Sequence, residues 1–135
     1  MGYNPKIWGN EGWHFIHMTA LNYPENPTQE DKKNYMQFLQ SLRHTLPCEG
    51  CMQNWGEKLD KHPPNLNSRK EFFEWTVDMH NEVNSTNGKR QLSYDEALKK
   101  INQKKKIENL KDSFLIASAI TVVVSFYYGF IKRVK

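Results

Sequence analysis

The sequence predicts an all-α protein: a compact bundle of amphipathic helices followed by a separate apolar helix that spans a membrane. Three observations lead there. Apolar residues recur at helical spacing along the first hundred residues, with no convincing strand alternation. Helix-start boxes and Pro or Gly stops alternate at short intervals, so the connections are short. Residues 114–131, FLIASAITVVVSFYYGFI, then run for eighteen residues without a charge.

Trp13, Ile16, His17, Ala20 and Leu21 follow i, i+3, i+4, i+7, i+8, one face of a first helix. Tyr23-Pro24 and Pro27 end it. Thr28 with Asp31 forms an acidic capping box for a second helix, striped by Tyr35, Phe38, Leu39 and Leu42. A third helix is expected from about Cys48 to Lys61, with Cys51, Trp55 and Leu59 on one face, and His62-Pro63-Pro64-Asn65 stops it. Ser68 and Glu71 cap a fourth helix carrying Phe72, Trp75, Met79, His80 and Val83, which ends near Asn87-Gly88. Ser93 and Glu96 form another box before Ala97, Leu98 and Ile101. Four amphipathic helices on short connections imply a bundle.

The formal charge of +4 on 135 residues invites a nucleic-acid reading, but its distribution argues against one. Residues 99–135 carry nine Lys/Arg against two acidic residues, whereas residues 1–98 carry ten against thirteen. The basic charge thus flanks the apolar run, as membrane spans require. As a helix that run would be about 27 Å long, near the thickness of a bilayer's hydrocarbon core. Tyr127 and Tyr128 suit the interface, and Lys132, Arg133 and Lys135 follow. Six lysines precede the run and three basic residues follow it, and MGYNPKIWGN contains no apolar signal segment. The expected organisation is a soluble domain at 1–98, a basic helical linker at 99–113, a transmembrane helix at 114–131 and a basic tail at 132–135. This tail anchor would leave the domain on the cytoplasmic side.

Both cysteines lie in Leu46-Pro47-Cys48-Glu49-Gly50-Cys51. Such a pair can be a reactive dithiol, half of a metal site or a structural loop, although a loop this short stabilises weakly. Pro47 favours a helix starting at the cysteines, where free N–H groups lower a thiol pKa. Zinc held by Cys48, Cys51, His62 and His80 is disfavoured, because seventeen residues separate the histidines. A thioredoxin-like fold would need a βαβ context that is missing. On the fourth helix His80, Asn81 and Asn84 project with Val77 and Val83, offering donors and acceptors that suit a heteroaromatic ligand. Lys89, just past Gly88, could reach a phosphate at the same end.

Taken together, Gly9, Trp13 and His17 (WGNEGWHFIH), Tyr23-Pro24, Pro47-Cys48-Glu49-Gly50-Cys51, Phe72-x-x-Trp75, and His80-Asn81-Glu82-Val83-Asn84 with Gly88-Lys89 resemble the FAD-linked sulfhydryl oxidases of the augmenter-of-liver-regeneration type. The resemblance covers residues 8–89, and the ordered set is far more specific than any one motif. It implies a four-helix bundle with a short fifth helix, non-covalently bound FAD and a homodimer. By similarity Trp13, His17, His80, Asn81, Val83 and Asn84 would hold the adenine and flavin portions. Gly9 would allow close backbone approach and Lys89 would lie near the phosphates. The family mechanism implies that a substrate thiolate attacks Cys48, that Cys51 passes the electron pair to FAD, and that oxygen is reduced to hydrogen peroxide.

One departure narrows the reading. Many members carry further cysteines that shuttle electrons or crosslink the dimer, and here Cys48 and Cys51 are the whole supply. The expected substrate is therefore a dithiol protein that reaches Cys48 directly, such as a small thioredoxin-like redox protein. An oxidase facing the reducing cytoplasm is unusual. The arrangement resembles the small members found in large cytoplasmic DNA viruses, for which a virion membrane would be the site. The competing expectation is a tail-anchored helical scaffold whose dithiol is structural or binds metal.

Overall fold

The computed structural model describes residues 2–134, with side chains at 2–125 and 127. Five helices follow one another: α1 (Pro5–Leu21), α2 (Gln29–Thr45), α3 (Glu49–Lys61), α4 (Arg69–Thr86) and α5 (Tyr94–Val134). The chain divides into two compact units, Met1–Ala97 and Leu98–Lys135. The first holds α1 to α4 and the opening turn of α5, while the second is the remainder of α5.

Local chemistry sets most helix starts. Thr28 accepts from Asp31 N–H while the Asp31 carboxylate accepts from Thr28 N–H at 2.8 Å, a complete capping box. Ser68 caps α4 through Glu71 N–H at 3.2 Å. The Ser93 and Glu96 pair does the same for α5, with Ser93 N–H donating to Glu96 at 2.9 Å. That bond, reinforced by Arg90, pulls the Glu96 carboxyl down to about 2. Two elements differ from the sequence expectation. Helix α1 begins a full two turns before Trp13, because Asn4 caps it by accepting from Lys6 N–H and Pro5 occupies the first helical position. The fifth helix is not short: it continues as one 41-residue element, because the basic helical stretch expected at 99–113 runs on with no Pro or Gly to interrupt it.

Among the described residues no helix is long and apolar enough to cross a membrane. Of the span expected at 114–131, the side chains of Phe126 and residues 128–131 lie outside the described residues.

In the first unit the core is aromatic. Tyr23, Phe72, Leu39, Val77 and Thr76 are fully enclosed. The Tyr23 ring meets Tyr35 at 4.6 Å and Phe72 at 5.2 Å, edge to face in both cases. Its hydroxyl donates to Leu66 O at 3.0 Å, so the polar tip is satisfied where the turn between α3 and α4 passes. Trp55 on α3 donates its indole N–H to Leu39 O on α2 at 2.9 Å. Arg43 ties the same two helices through a paired contact with Asp60. Burial of each such side chain is worth roughly 1.5–3 kcal/mol, and together they fix how α1, α3 and α4 present their polar residues.

Candidate functional site

Cys48 is the N-cap of α3, placed there because Pro47 cannot donate and holds the preceding backbone extended. Cys48 and Cys51 form a disulfide with their Cα atoms 5.0 Å apart. The Cys48 sulfur accepts from Cys51 N–H at 3.2 Å. A donor and the positive end of the helix dipole therefore favour a thiolate at Cys48. Both cysteines are only half-buried, so a partner can reach them. The N-terminal segment lies against the same loop: Tyr3 N–H donates to Pro47 O at 2.7 Å. A Cβ at Gly2 would sit 2.9 Å from that oxygen and 3.1 Å from Cys48 Cα, so only glycine fits this approach.

One turn beyond Cys51, Trp55 carries the site inward. Its ring is 5.9 Å from Trp13 on α1 and 6.3 Å from Trp75 on α4. Trp13 in turn stacks on His80 with centroids 4.3 Å apart and planes within 7°. His17, one turn along α1, stacks on Trp13 at 5.9 Å and bonds His80, Nε2 to Nδ1, at 3.0 Å. Its other nitrogen, Nδ1, is 2.9 Å from the Thr76 hydroxyl. Burial, with smaller contributions from His80 and His14, pushes the His17 imidazole down to about 3, so the ring is neutral at ordinary pH.

The remaining residues singled out in the sequence distribute as follows. Val77 is enclosed on α4 and Asn84 is buried one turn past His80, while Val83 is half-buried. Asn81 donates its amide to Leu92 O at 2.8 Å and accepts from Leu92 N–H at 2.9 Å, clamping the loop after α4 back onto the helix. Lys89 is exposed, and its position is set by a Schellman turn. Gly88, at φ 63°, donates to Ser85 O while Lys89 N–H donates to Asn84 O at 2.8 Å. Gly9 is half-buried on α1, and a Cβ there would meet nothing within 4 Å. Trp13, His17 and His80 thus form one cluster, linked through Trp55 to the dithiol helix. Thr76 belongs to the cluster and was not singled out. Its only sequence signal is its place four residues before His80, on the same helical face.

A concavity of about 340 Å³ is lined by Lys61, His62, Pro63, Trp75, Asp78, Met79 and Glu82. Glu82 bridges Lys58 and His62 there, at 3.2 Å to each. No group of three or more His, Cys, Asp or Glu side chains fit to hold a metal occurs among the described residues.

A helical bundle with a dithiol at a helix N-cap, joined by tryptophans to a stacked indole and imidazole cluster, defines a helical dithiol-redox domain. Within that class the chain belongs to the Erv1 / Alr family, whose profile matches residues 10–106. It is 45% identical over 103 residues to a probable FAD-linked sulfhydryl oxidase of Acanthamoeba polyphaga mimivirus, covering 74% of this chain and 72% of that one. It is 30% identical over 89 residues to an FAD-linked sulfhydryl oxidase of African swine fever virus, covering 66% and 75%. Against the mitochondrial FAD-linked sulfhydryl oxidase of Saccharomyces cerevisiae identity is 33% over 76 residues, with 56% of this chain and only 40% of that one covered. The crystal structure of the FAD-binding domain of that yeast protein superposes with a TM-score of 0.70 at 27% identity, covering 75% of this chain and 96% of that domain.

Proposed function

We propose that this protein is an FAD-dependent thiol oxidase that forms disulfides in partner dithiol proteins. The observation that carries the reading is the half-buried Cys48–Cys51 disulfide at the α3 N-terminus, coupled through Trp55 to the Trp13, His17 and His80 cluster. A substrate thiolate attacks Cys48 Sγ; the Cys48–Cys51 bond breaks and Cys51 leaves as a thiolate. The second substrate thiol, once deprotonated, attacks the substrate sulfur of the mixed disulfide and releases Cys48. The substrate has then lost two electrons and two protons, and the Cys48/Cys51 pair has gained the electrons. Release of Cys48 is helped by its capping position, because a lower thiol pKa makes a better leaving group.

The residues present fit an aromatic cofactor. Trp13 and His80 offer parallel ring faces, the neutral His17 adds no charge, and the surroundings of Gly9 leave room for close approach. Trp13, His17, His80, Val83 and Asn84 would hold FAD, with Lys89 near its phosphates. When bound, FAD supplies the two-electron chemistry that takes the pair from the dithiol to oxygen, giving hydrogen peroxide.

The same reading includes a homodimer and a membrane anchor. Tyr3, Ile7, Phe15 and Met18 lie on one outward face of α1 and its approach, 71%, 74%, 54% and 44% exposed, a surface suited to a second copy. The uncharged run from residue 114, with Phe114, Leu115, Ile116, Ile120, Val122 and Val123 all exposed, supports insertion into a membrane from the cytoplasmic side.

A flavin absorbance spectrum on the purified protein tests the cofactor. A chain ending at Asn109 should keep that spectrum and its dithiol oxidase activity while no longer sedimenting with membranes. A colourless full-length protein that oxidises no dithiol would overturn the enzyme reading, and an Asn109 truncation still bound to membranes would overturn the anchor.

A further inference from the structure

Residues 2–4 lie against the turn that carries the attacked sulfur, and they meet it through backbone. Tyr3 N–H donates to Pro47 O at 2.7 Å, immediately before Cys48. A Cβ on Gly2 would stand 2.9 Å from that oxygen, 3.1 Å from Cys48 Cα and 3.6 Å from Cys48 N. Adding a carbon–carbon bond of about 1.5 Å puts Gly2 Cα within about 5 Å of Cys48 Cα. Two disulfide-bonded cysteines hold their Cα atoms roughly 4.4–6.8 Å apart. The Gly2 backbone therefore stands at the distance from Cys48 that the cysteine of a covalently attached substrate must take up. Cys48 O is committed to α3 through Met52 N–H at 2.9 Å, whereas Pro47 O is left to a donor from outside the helix. Little holds the segment in place. Gly2, Tyr3 and Pro47 are exposed, and Tyr3 O takes a long 3.4 Å contact from the Trp8 indole N–H. The helix keeps its Asn4 cap when residues 2 and 3 leave.

We propose that Gly2 and Tyr3 occupy the seat of the substrate's backbone beside Cys48. A protein substrate displaces them with a flexible loop or terminus, brings its reactive cysteine to the place of Gly2 and pairs the next residue's N–H with Pro47 O. This rests on the thiol-oxidase reading above and names the form in which its substrate is recognised. Main-chain pairing of this kind gives affinity with little demand on sequence. It does exclude proline after the reactive cysteine, because proline has no N–H to give. Small dithiols, having no backbone, gain nothing from the seat and lose nothing to the segment that fills it.

Oxygen uptake by the full-length protein reads this out with three substrates: a linear dithiol peptide, the same peptide N-methylated at the residue after its first cysteine, and dithiothreitol. Two variants vacate the seat while keeping Asn4 as the α1 cap. One lacks Gly2 and Tyr3; the other, Tyr3→Pro, keeps the chain length and loses the donor. Each should lower KM for the peptide about fivefold with kcat within about twofold, the factor that one net backbone hydrogen bond supports. With dithiothreitol kcat/KM should stay within about twofold of wild type. N-methylation should raise the peptide's KM about fivefold in both variants. An unchanged peptide KM would overturn the proposal, as would an equal gain with dithiothreitol, which would make the segment a plain cover. Slower turnover with both would make it a support of the dithiol turn and overturn the proposal too. An N-methylated peptide that bound as well as its parent would remove Pro47 O from the seat and end the argument. Should the shortened chain fail to fold, Tyr3→Pro alone decides. If wild type oxidised none of the three, the thiol-oxidase reading would fall, whereas turnover by wild type with unaltered variants would sink the seat alone.

Discussion

At the dithiol, backbone groups hold the reactive atoms: Cys51 N–H reaches the Cys48 sulfur, and Pro47 O is tied to Tyr3 N–H. At the His17–His80 pair, side chains hold side chains, through Thr76 on one flank and Trp13 on the other. The first region is half open and its bond is meant to break. The second is more enclosed, with His17 and Thr76 buried. Thiol exchange needs sulfurs that can be approached and a helix end that stabilises whichever thiolate forms. Holding a rigid ring needs partners that do not rearrange when it arrives. The two demands meet within two tryptophan contacts, with α3 and α1 each serving one of them.

The sharpest way to break this division is at the sulfur. Cys51→Ser should abolish turnover with a dithiol substrate while leaving FAD binding within about twofold of wild type, since a hydroxyl of similar size replaces the thiol. Loss of flavin in that variant would show that the two regions are one. A pH titration of stability is the next largest effect. The His17 pKa is about 3 when folded and 6.5 as a free side chain, so below pH 6.5 the unfolded chain binds a proton that the folded chain refuses. Stability should therefore fall as pH drops from 6.5 towards 3, by up to about 1.4 kcal/mol per pH unit from this group. His17→Gln should flatten that segment of a chemical-denaturation series, and an unchanged slope would mean that the cluster is wetter than its geometry implies. The smallest effect lies at the far end of α4. Gly88→Ala places a Cβ at φ 63° and should cost about 1 kcal/mol by urea unfolding, with the dithiol's reactivity untouched.

What the sequence made legible was whatever is settled within a few residues. The boxes at Thr28/Asp31, Ser68/Glu71 and Ser93/Glu96 are written in spacings of three; the first and last close reciprocally, while at Ser68 the hydroxyl accepts from Glu71 N–H and donates to its carboxylate. The Asn4-Pro5 start is equally local, a capping side chain followed by a proline at the first helical position. The helical character expected of 99–113 is legible in its lysines, which are good helix formers, whereas its continuity with the apolar run in one 41-residue element is not. In the cluster, helical spacing put His17 and Trp13 on a common face, yet nothing local says that His80 stacks on Trp13 from a different helix. Asn81 is a similar case. Eleven residues on, the Leu92 backbone offers a donor and an acceptor at the right separation, and the amide bonds both, a pairing that its motif does not signal. Thr76 carried no mark beyond its register with His80.

The disulfide between Cys48 and Cys51 accounts for every cysteine in the chain. Any covalent complex with a partner must therefore pass through one of two sulfur atoms three residues apart. Replace Cys51 by serine and only Cys48 is left to be captured, with no internal thiol to resolve the adduct. A partner held in this way is joined at a single known atom, in a one-to-one ratio, and a reductant sets it free. The scarcity of cysteine makes the protein a self-contained bait, whose bound partners can be read by mass without subtracting competing crosslinks.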